Sequence, residues 1–537
     1  MTLPPGLPIT FLILGALAIG AADLARLRRP TWIMIITSVL ALALLLAVRS
    51  ETPVTEIIAT WQPVSVFTVP LSFRVDHTAW VMALGLMLVL NATAFMWGGF
   101  PGQHRPAPRA LSLLLTAAAL SGIFASNLLT LAVAWGMLDL IFVLALVVRG
   151  GTEVGRRAAL AIVLNAVSTV CVWIAALLIE NQHGSLYWHL LNPSDDARAW
   201  LMAAAVLRVG LYPFHQGLPI ELGKEPDRSV MIFVVPTIAG LALWVRMAGA
   251  QALPEESLVP LLGTLSILVG AVLAWRNVEP RSSLPYIMLG LSGFVGLLAA
   301  AHSSVDLLTN ATLNWMFVVA SLFIARGFDR RRMFWSGGAL LAGLSLAAVP
   351  GTLGFIVQQA VIADVLQAKA WLILVAVIVA QTLLIAAGTR LILSDAVESA
   401  PTLLLRKICW SVAIVLGALP LVGFVVAPGI VGDSLSTRAL LAELGPIGLL
   451  ALFAPIAIGL VLAWRGPVLR RSVSAGQTAW GRVLRLDWLN NAIFYLLDRM
   501  TGLLRAVASV FEGDGGLLWT VIVIVIVVVL YTNALQP

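Results

Sequence analysis

A single arginine inside an apolar segment is the residue of this sequence that points most directly to chemistry. Arg208 is followed by Pro213 after five positions, by His215 after seven, and then by Pro219. Proline removes a backbone donor and clashes with the preceding turn, so Pro213 should break the helix that carries Arg208. A charged side chain and a broken helix are costly in lipid, but both are tolerated where they face protein or a water-filled cavity. The pattern is typical of an ion or substrate path.

Each of these side chains also has a structural interpretation. Arg208 could clamp helix ends that Pro213 exposes, instead of lining a path. His215 could carry protons between the cytoplasm and the path, because imidazole titrates near neutral pH, or it could make a structural hydrogen bond. The residue types and their spacing leave both alternatives open.

A second interruption lies in the segment AAVPGTLGFIVQQ, where Pro350, Gly351 and Gly354 stand within an apolar run. The two interruptions fall in the seventh and the twelfth spans, so the interrupted helices should run in opposite directions. Interrupted helices in corresponding places of two halves indicate inverted repeats with an ion path at the membrane midplane. Proline and glycine are also more frequent in membrane helices than in soluble ones, which is the alternative explanation. Gln358 follows this break as a candidate ion-path residue, although an interhelical hydrogen bond is its more ordinary role.

The elements that must position these residues are membrane-spanning helices. The chain has 537 residues, of which 60% are apolar and 11% are charged, and its mean hydropathy is +0.99. Soluble domains carry about 25% charged residues, whereas apolar stretches of 18 or more residues recur here along the whole chain. The sequence therefore predicts an all-α polytopic membrane protein. About sixteen transmembrane helices are expected, with the seventh and twelfth broken, at 7–25, 31–48, 77–98, 109–126, 128–148, 157–179, 199–218, 230–250, 258–275, 284–301, 305–325, 338–364, 370–393, 408–427, 444–464 and 515–532.

Basic residues in the loops indicate the orientation of the chain. Every second loop is rich in arginine or lysine, most clearly at 330–332, while the alternate loops hold isolated cations. Because short cytoplasmic loops carry the excess of lysine and arginine, both termini should lie outside, in a cell inner (plasma) membrane. Arg246 and Asp306 are expected near the outer ends of their spans, where they could snorkel. The net charge of +7 belongs to this loop pattern and is not a nucleic-acid signal.

The segment 466–514 differs from the spans before it. Apolar residues recur every three or four positions from Trp488 to Leu504, with charged residues between them. This pattern predicts an amphipathic helix that lies along the membrane surface, along a partner subunit or on the chain's own cytoplasmic face. The predicted domains are N-terminal helices 1–108, a first repeat 109–250, a second repeat 251–394, C-terminal core helices 395–465, the lateral helix 466–514 and a final anchor 515–537.

The sequence carries none of the motifs that would hold a redox or nucleotide cofactor. It has no GxxxxGK[ST] loop and no GxGxxG that opens a helix after a strand. Cys171 and Cys409 are far apart in the sequence and are expected to be free thiols, so neither an iron–sulfur cluster nor another metal site is predicted. We expect no cofactor in this chain and any redox chemistry in another subunit.

The order of these features resembles one membrane-protein family. The chain is similar to the antiporter-like proton-channel subunits of respiratory complex I, and to their relatives in Mrp-type sodium/proton antiporters and membrane-bound hydrogenases. The likeness covers most of the chain and rests on short motifs: Arg208, Pro213, His215, Leu218, Pro219 and Pro226 at the first break; Phe73-Arg74-Val75-Asp76 before the third span; Pro350-Gly351 and Gly354-Phe355 at the second break; and Glu512-Gly513-Asp514-Gly515-Gly516 after the lateral helix.

The resemblance implies a fold of two inverted five-helix repeats, each with a half-channel. It also implies a glutamate on the fifth span paired with a lysine on the seventh, and further lysines or histidines on the eighth, eleventh and twelfth spans. The partners would be the lipid bilayer and other membrane-arm subunits of a multi-subunit complex, without nucleic acid. Redox subunits elsewhere in that complex would supply the driving reaction.

This sequence departs from the family pattern at its charged positions. Trp135-Gly136 stands where the family has tryptophan and glutamate, and the nearest acid is Asp139, on the same helix face. Arg208 replaces the lysine of the seventh span, and the charge of the twelfth falls near Gln358. A desolvated lysine can lose its proton, but an arginine effectively cannot. Contact between Asp139 and Arg208 would therefore favour a fixed ion pair over a proton relay.

The function that follows from this resemblance is that of a membrane-arm subunit of a complex-I-like NADH:quinone oxidoreductase. It would take part in proton or cation translocation coupled to electron transfer in other subunits, through Asp139, Arg208, His215 and Gln358. One alternative is a degenerate scaffold that keeps the fold and conducts nothing. Another is the membrane partner of an Mrp-type cation/proton antiporter or of a bicarbonate-uptake system.

Overall fold

A computed structural model gives the arrangement of these helices. The structure describes residues 3–25, 30–49, 52–61, 66–98, 106–149, 155–217, 230–255, 257–277, 279–325, 337–394, 403–430 and 444–473, and scattered positions between 483 and 502. The chain divides into two compact units, residues 1–471 and 472–537. Most of the predicted lateral helix 466–514 and all of the predicted anchor 515–537 lie outside the described residues.

The described part of the chain contains sixteen α-helices. Ten of them are long and apolar enough to cross a membrane, so the chain is a polytopic helical membrane protein. The helices are α1 (Leu7–Leu24), α2 (Pro30–Val48), α3 (His77–Gly98), α4 (Ala107–Ile123), α5 (Leu128–Arg149), α6 (Gly155–Asn181), α7 (Asp195–Val209), α8 (Val230–Gly249), α9 (Val259–Arg276), α10 (Leu284–Ala300), α11 (Val305–Ala325), α12 (Gly337–Leu346), α13 (Leu353–Gln367), α14 (Trp371–Leu393), α15 (Leu403–Ile430) and α16 (Gly445–Val473).

The helix bounds follow the predicted spans closely, with two differences that bear on the site. The predicted span 199–218 is shorter in the structure, because α7 ends at Val209 and a 3-10 turn follows at Phe214–Gly217. The predicted span 338–364 consists of two helices, α12 and α13. Both differences arise where proline and glycine interrupt the apolar run.

A small antiparallel sheet between α2 and α3 corrects the strictly all-α prediction. Strand β1 (Val54–Ala59) pairs with β2 (Leu71–Val75), with Val54 opposite Val75. Hydropathy windows long enough to find a transmembrane helix average over strands this short, so the hairpin escapes them. The sheet lies directly before α3 and contributes residues to one end of the helix bundle.

The core of the first unit lies around α8 and α11, which are buried on almost all sides. Outer helices keep large apolar side chains exposed, for example Leu140 and Val147 on α5 and Leu14 and Leu17 on α1. A helix that is apolar all round must be covered by lipid or by protein. These exposed faces are therefore the surfaces that meet the bilayer or a neighbouring subunit.

A buried polar network fixes the start of α5. The side-chain oxygen of Asn127 accepts hydrogen bonds from the backbone N–H (2.8 Å) and the hydroxyl (2.9 Å) of Thr130. The Asn127 amide donates to the carbonyl oxygen of Pro70 (2.9 Å), and the Thr130 hydroxyl accepts from the N–H of Ser72 (3.0 Å). The network joins α5 to β2. It therefore sets the depth at which Asp139 lies, about three turns further along α5.

The end of α7 is formed by a glycine in the left-handed conformation. Gly210 has φ 72° and ψ 45°, and its N–H donates to the carbonyl oxygen of Val206 at 3.1 Å. Glycine is favoured at such a helix end because it lacks the Cβ that would clash there. The backbone N–H of Tyr212 then donates to the Ser266 hydroxyl on α9 (2.8 Å). Arg208 consequently lies in the last turn of its helix.

The junction of α12 and α13 is held by short-range hydrogen bonds. Gly351 has φ 91°, and the hydroxyl of Thr352 accepts from the N–H of Phe355 (3.2 Å) as the N-cap of α13. The N–H of Gly354 donates to the hydroxyl of Ser345 on α12 (3.0 Å). A Cβ added to Gly354 would overlap the carbonyl oxygen of Ser345. The glycine thus allows the two helix ends to approach closely.

Candidate functional site

The structure brings Asp139 and Arg208 together as a buried ion pair between α5 and α7. Nη1 of Arg208 lies 2.5 Å from Oδ1 of Asp139, which is one of the two arrangements that the sequence left open. The Arg208 side chain is completely buried, whereas the Asp139 side chain is 16% exposed. An isolated charge in such a place would be very costly, and the pair offsets that cost by direct contact. Asp139 is the member of the pair that can be reached from the protein surface.

Further contacts hold the guanidinium of Arg208 in place. Nη1 also donates to the carbonyl oxygen of Asn165 on α6 (3.2 Å), and Nη2 donates to that of Trp135 on α5 (3.5 Å). The guanidinium carbon lies 4.3 Å from the centroid of the Trp135 ring, which is a favourable cation–π distance. Because Arg208 lies in the last turn of α7, the partial negative charge of that helix end also favours the cation.

The second oxygen of Asp139 is bound to a third helix. The hydroxyl of Thr169 on α6 donates to Oδ2 of Asp139 at 2.6 Å. The carboxylate thus contacts one cation and one hydroxyl. An arginine effectively cannot deprotonate, so Arg208 is a fixed positive charge in this site.

His215 and Pro213 lie just beyond α7. The peptide bond before Pro213 is cis, and the 3-10 turn Phe214–Gly217 follows it. His215 is buried in this turn, and its ring stacks on Tyr212 with centroids 5.3 Å apart. Pro219 lies outside the described residues. The structure therefore places His215 one turn beyond the helix that carries Arg208, with an aromatic neighbour.

Gln358 lies at the second interruption, in a neutral polar environment. It is buried on α13 and lines a cavity of about 20 Å³ together with Asn314, Ser345 and Gln381. The Ser345 hydroxyl donates to the side-chain oxygen of Asn314 (2.7 Å), and the Gln381 amide donates to the carbonyl oxygen of Leu346 (2.7 Å). The Gln358 Nε2 has no hydrogen-bond partner among the described residues. A cavity of this size accommodates one water molecule, which would satisfy that donor.

A second ion pair joins Arg246 to Asp76, where the sequence predicts only a snorkelling arginine. Nη1 of Arg246 lies 2.5 Å from Oδ2 of Asp76, and its Nη2 donates to the carbonyl oxygen of Ile123 (2.8 Å). Burial raises the pKa of Asp76, but the charge of Arg246, the hydrogen bond from the Ala79 N–H and the charge of Arg74 together outweigh it. The pKa of Asp76 is therefore below its ordinary value of 3.8.

Replacing Asp76 by asparagine should remove a pH-dependent part of the stability. A carboxyl group whose pKa is lowered by folding stabilises the protein above its unfolded pKa, and this contribution disappears as the pH falls through the folded value. The Asp76→Asn variant should melt below the wild type at about pH 6, and the difference should shrink below pH 3.8. Thermal unfolding in detergent across this range measures both. Asp195→Asn, at a fully exposed carboxylate, is the matched control; a difference that stays constant with pH would contradict the assignment.

Sequence reasoning missed Trp135, Asn165 and Thr169 as partners of the first ion pair. The spacing held a signal, because Trp135 and Asp139 on α5 are four residues apart, as are Asn165 and Thr169 on α6. Residues at this spacing lie on one face of a helix. Of the two α6 residues only Thr169 uses its side chain, whereas Asn165 contributes its backbone carbonyl oxygen, which residue type does not signal.

Comparison with known proteins places the ion pair inside a family domain. Residues 125–384 match the family model described as "NADH:quinone oxidoreductase/Mrp antiporter, TM". The NADH-quinone oxidoreductase subunit N of Thioalkalivibrio sulfidiphilus is 28% identical over 211 residues, which are 35% of this chain and 44% of that protein. The chain thus spans less than half the length of this relative. The subunit N of Laribacter hongkongensis is 23% identical over 423 residues, covering 70% of this chain and 84% of the relative.

Two solved structures have a similar fold. A chain of the Mrp complex from Dietzia sp. DQ12-45-1b matches 98% of this chain and 63% of its own length, with a TM-score of 0.76 and 20% identity. A chain of respiratory complex I from Thermus thermophilus matches 80% of this chain over its full length, with a TM-score of 0.61 and 19% identity. Over the matched residues 125–384 the chain is therefore similar to the membrane subunits of the NADH:quinone oxidoreductase/Mrp antiporter family, and the two solved structures share its fold.

Proposed function

We propose that the chain is a membrane-arm subunit of a complex-I-like NADH:quinone oxidoreductase. In this role it takes part in proton or cation translocation that is coupled to electron transfer in other subunits. The observation that carries the proposal is the buried Asp139–Arg208 ion pair, which joins α5 to α7 within the matched domain. The name of the subunit N relatives supports the same assignment.

The two members of the pair have different roles in this proposal. Asp139 takes up the proton or attracts the cation, because it is the titratable and partly exposed partner. Arg208 supplies the fixed positive charge that the Asp139 carboxylate contacts. Thr169 orients the carboxylate through its hydrogen bond. His215 and Gln358 extend the path on either side, the histidine as a proton carrier and the glutamine through bound water.

The proposal includes an internal symmetry of the helices. The first repeat, 109–250, contains α7 and its following 3-10 turn, and the second repeat, 251–394, contains the α12–α13 junction. Two interruptions in opposed halves agree with inverted repeats around a midplane path. The lateral helix 466–514 and the anchor 515–537 would contact neighbouring subunits, with both termini on the outer side.

A second candidate function is a scaffold subunit that conducts nothing. It is favoured by the several contacts that hold Arg208, since a guanidinium with a carboxylate, two carbonyl oxygens and an aromatic ring is poorly suited to movement. The neutral surroundings of Gln358 favour it as well. Under this reading Asp139 and Arg208 serve assembly alone.

Ion counting with an Asp139→Asn variant separates the two candidates. Loss of a positioned proton-transfer group slows transfer by about 10²-fold or more, so the variant should move fewer ions per electron while electron transfer continues. The measurement is ion uptake per NADH oxidised in vesicles that contain the whole complex. Asp195→Asn, an exposed carboxylate on α7, is the control and should leave the ratio unchanged. An unchanged ratio in a fully assembled Asp139→Asn complex would contradict the assignment of Asp139 to the ion path and favour the scaffold.

Purification from native membranes in mild detergent identifies the complex itself. Flavin and iron–sulfur subunits that remain bound to the chain, detected by mass spectrometry, are the expected result for a redox-driven complex. A chain that purifies alone, or with a single soluble partner, would contradict the respiratory assignment and indicate a stand-alone transporter. This measurement comes before ion counting, because the redox subunits that it identifies determine which electron donor to use.

A further inference from the structure

A cavity of about 140 Å³ lies at the end of the bundle where α3 and α11 begin and α8 ends. It shares no residue with the Asp139–Arg208 site and does not depend on the proposed function. Its volume exceeds by about tenfold the 10–15 Å³ that one water molecule requires, so it accepts a group of several atoms. The polar lining consists of Arg74, Asp76, Thr78, Ser126, His189 and Arg246, with Trp188 beside them.

Both oxygens of the carboxylate in this cavity already have a partner. Oδ1 of Asp76 accepts the backbone N–H of Ala79 (2.8 Å), and Oδ2 accepts Nη1 of Arg246 (2.5 Å). A further cation would have to compete with both contacts. Two arginines against one carboxylate leave one unit of positive charge in the lining, so the cavity favours an anion.

Arg74 supplies the available charge. Its backbone is fixed, because its N–H donates to the carbonyl oxygen of Phe124 (2.7 Å) and the residue pairs with Thr55 across the sheet. Its guanidinium makes no hydrogen bond within the part of the chain that the structure describes, although it lines the cavity. A half-buried guanidinium with five free donors on a rigid strand is arranged to bind a ligand oxygen.

We propose that this cavity binds an oxyanion, a phosphate or carboxylate group, with Arg74 as the principal ligand. A guanidinium matches two oxygens of such a group with parallel hydrogen bonds, which gives both affinity and geometric selectivity. Arg246 adds its remaining donors while its contact with Asp76 holds it in place. The group is either a free anion or the phosphate of a lipid headgroup, since both present the same oxygens.

The test measures whether the full-length chain binds phosphate from either of two sources. In one arm, inorganic phosphate is titrated in neutral detergent at constant ionic strength, and binding is detected as a rise in Tm. In the other, the protein is reconstituted in nanodiscs of phosphatidylcholine with or without phosphatidylglycerol, and retained lipid is counted by native mass spectrometry. A response in the first arm identifies a free anion, and retention in the second identifies a headgroup.

In whichever arm shows binding, Arg74→Gln should lower the affinity by about tenfold or more, because a charge-assisted hydrogen bond is lost. Arg74→Lys, which keeps the charge and loses the paired donors, should fall between this variant and the wild type. Lys369→Gln removes one exposed cation from the short α13–α14 turn and should change nothing. Equal binding by wild type and Arg74→Gln in both arms, or equal losses in Arg74→Gln and Lys369→Gln, would overturn the proposal.

Discussion

Replacing Arg208 by alanine should lower the free energy of unfolding by about 3–5 kcal/mol, because removing one partner of a buried ion pair leaves the other charge without compensation. Asp139 would keep only the hydroxyl of Thr169 as a hydrogen-bond partner among its described contacts. The carboxylate would then lack the cation that offsets the cost of its burial.

Unfolding in mixed micelles, with and without a second substitution, measures this loss. Arg198→Ala is the matched control, because its partner Asp195 is fully exposed at 3.7 Å and surface pairs contribute about 0–1 kcal/mol. The double variant Asp139→Asn/Arg208→Met should recover much of the stability, since neither buried charge remains. A loss for Arg208→Ala no larger than for Arg198→Ala would show that the pair contributes little to the fold.

Replacing Gly354 by alanine should destabilise the protein by about 1–3 kcal/mol or more, the range for overpacking a dense interior. The added methyl group would overlap the carbonyl oxygen of Ser345, a backbone atom that cannot rotate away. Relief requires α12 and α13 to move apart, which also breaks the hydrogen bond from the Gly354 N–H to the Ser345 hydroxyl. The second interruption should therefore be the part of the fold least tolerant of a single added carbon.

Replacing Gly136 by alanine should instead stabilise the protein in the same measurement. Nothing lies within 4 Å of a Cβ added to Gly136, so the helix gains about 0.5–1 kcal/mol from lower backbone entropy in the unfolded chain. Thermal unfolding of both variants in one detergent gives the comparison. Similar midpoints for Gly354→Ala and Gly136→Ala would show that the α12–α13 contact is looser than the structure indicates.

The positions of the helices could be predicted from the sequence because their cause is local. A span is a run of apolar residues, and Gly351 and Pro213 mark interruptions through their own backbone preferences. The contact between Asp139 and Arg208 was predictable for a related reason, since a buried arginine requires an acid and the apolar spans offer few.

The remaining features depend on residues that are distant in the sequence. Asp76 and Arg246 are 170 positions apart, and each alone looks like an ordinary charge at the end of a span. Their contact follows from the packing of α3 against α8, and this packing cannot be predicted from the local sequence pattern of either helix. The β1–β2 hairpin was missed because five or six residues of strand give no signal against long apolar helices.

The contact between Asp139 and Arg208 also determines how this site responds to membrane voltage. With opposite charges 2.5 Å apart, the pair has no net charge, so a transmembrane potential exerts almost no net force on it. A proton bound to Asp139 leaves one positive charge at that depth, and a full elementary charge that crosses the membrane changes its energy by about 2.3 kcal/mol per 100 mV. Protonation is thus the event that makes the site voltage-sensitive, in proportion to its depth in the field.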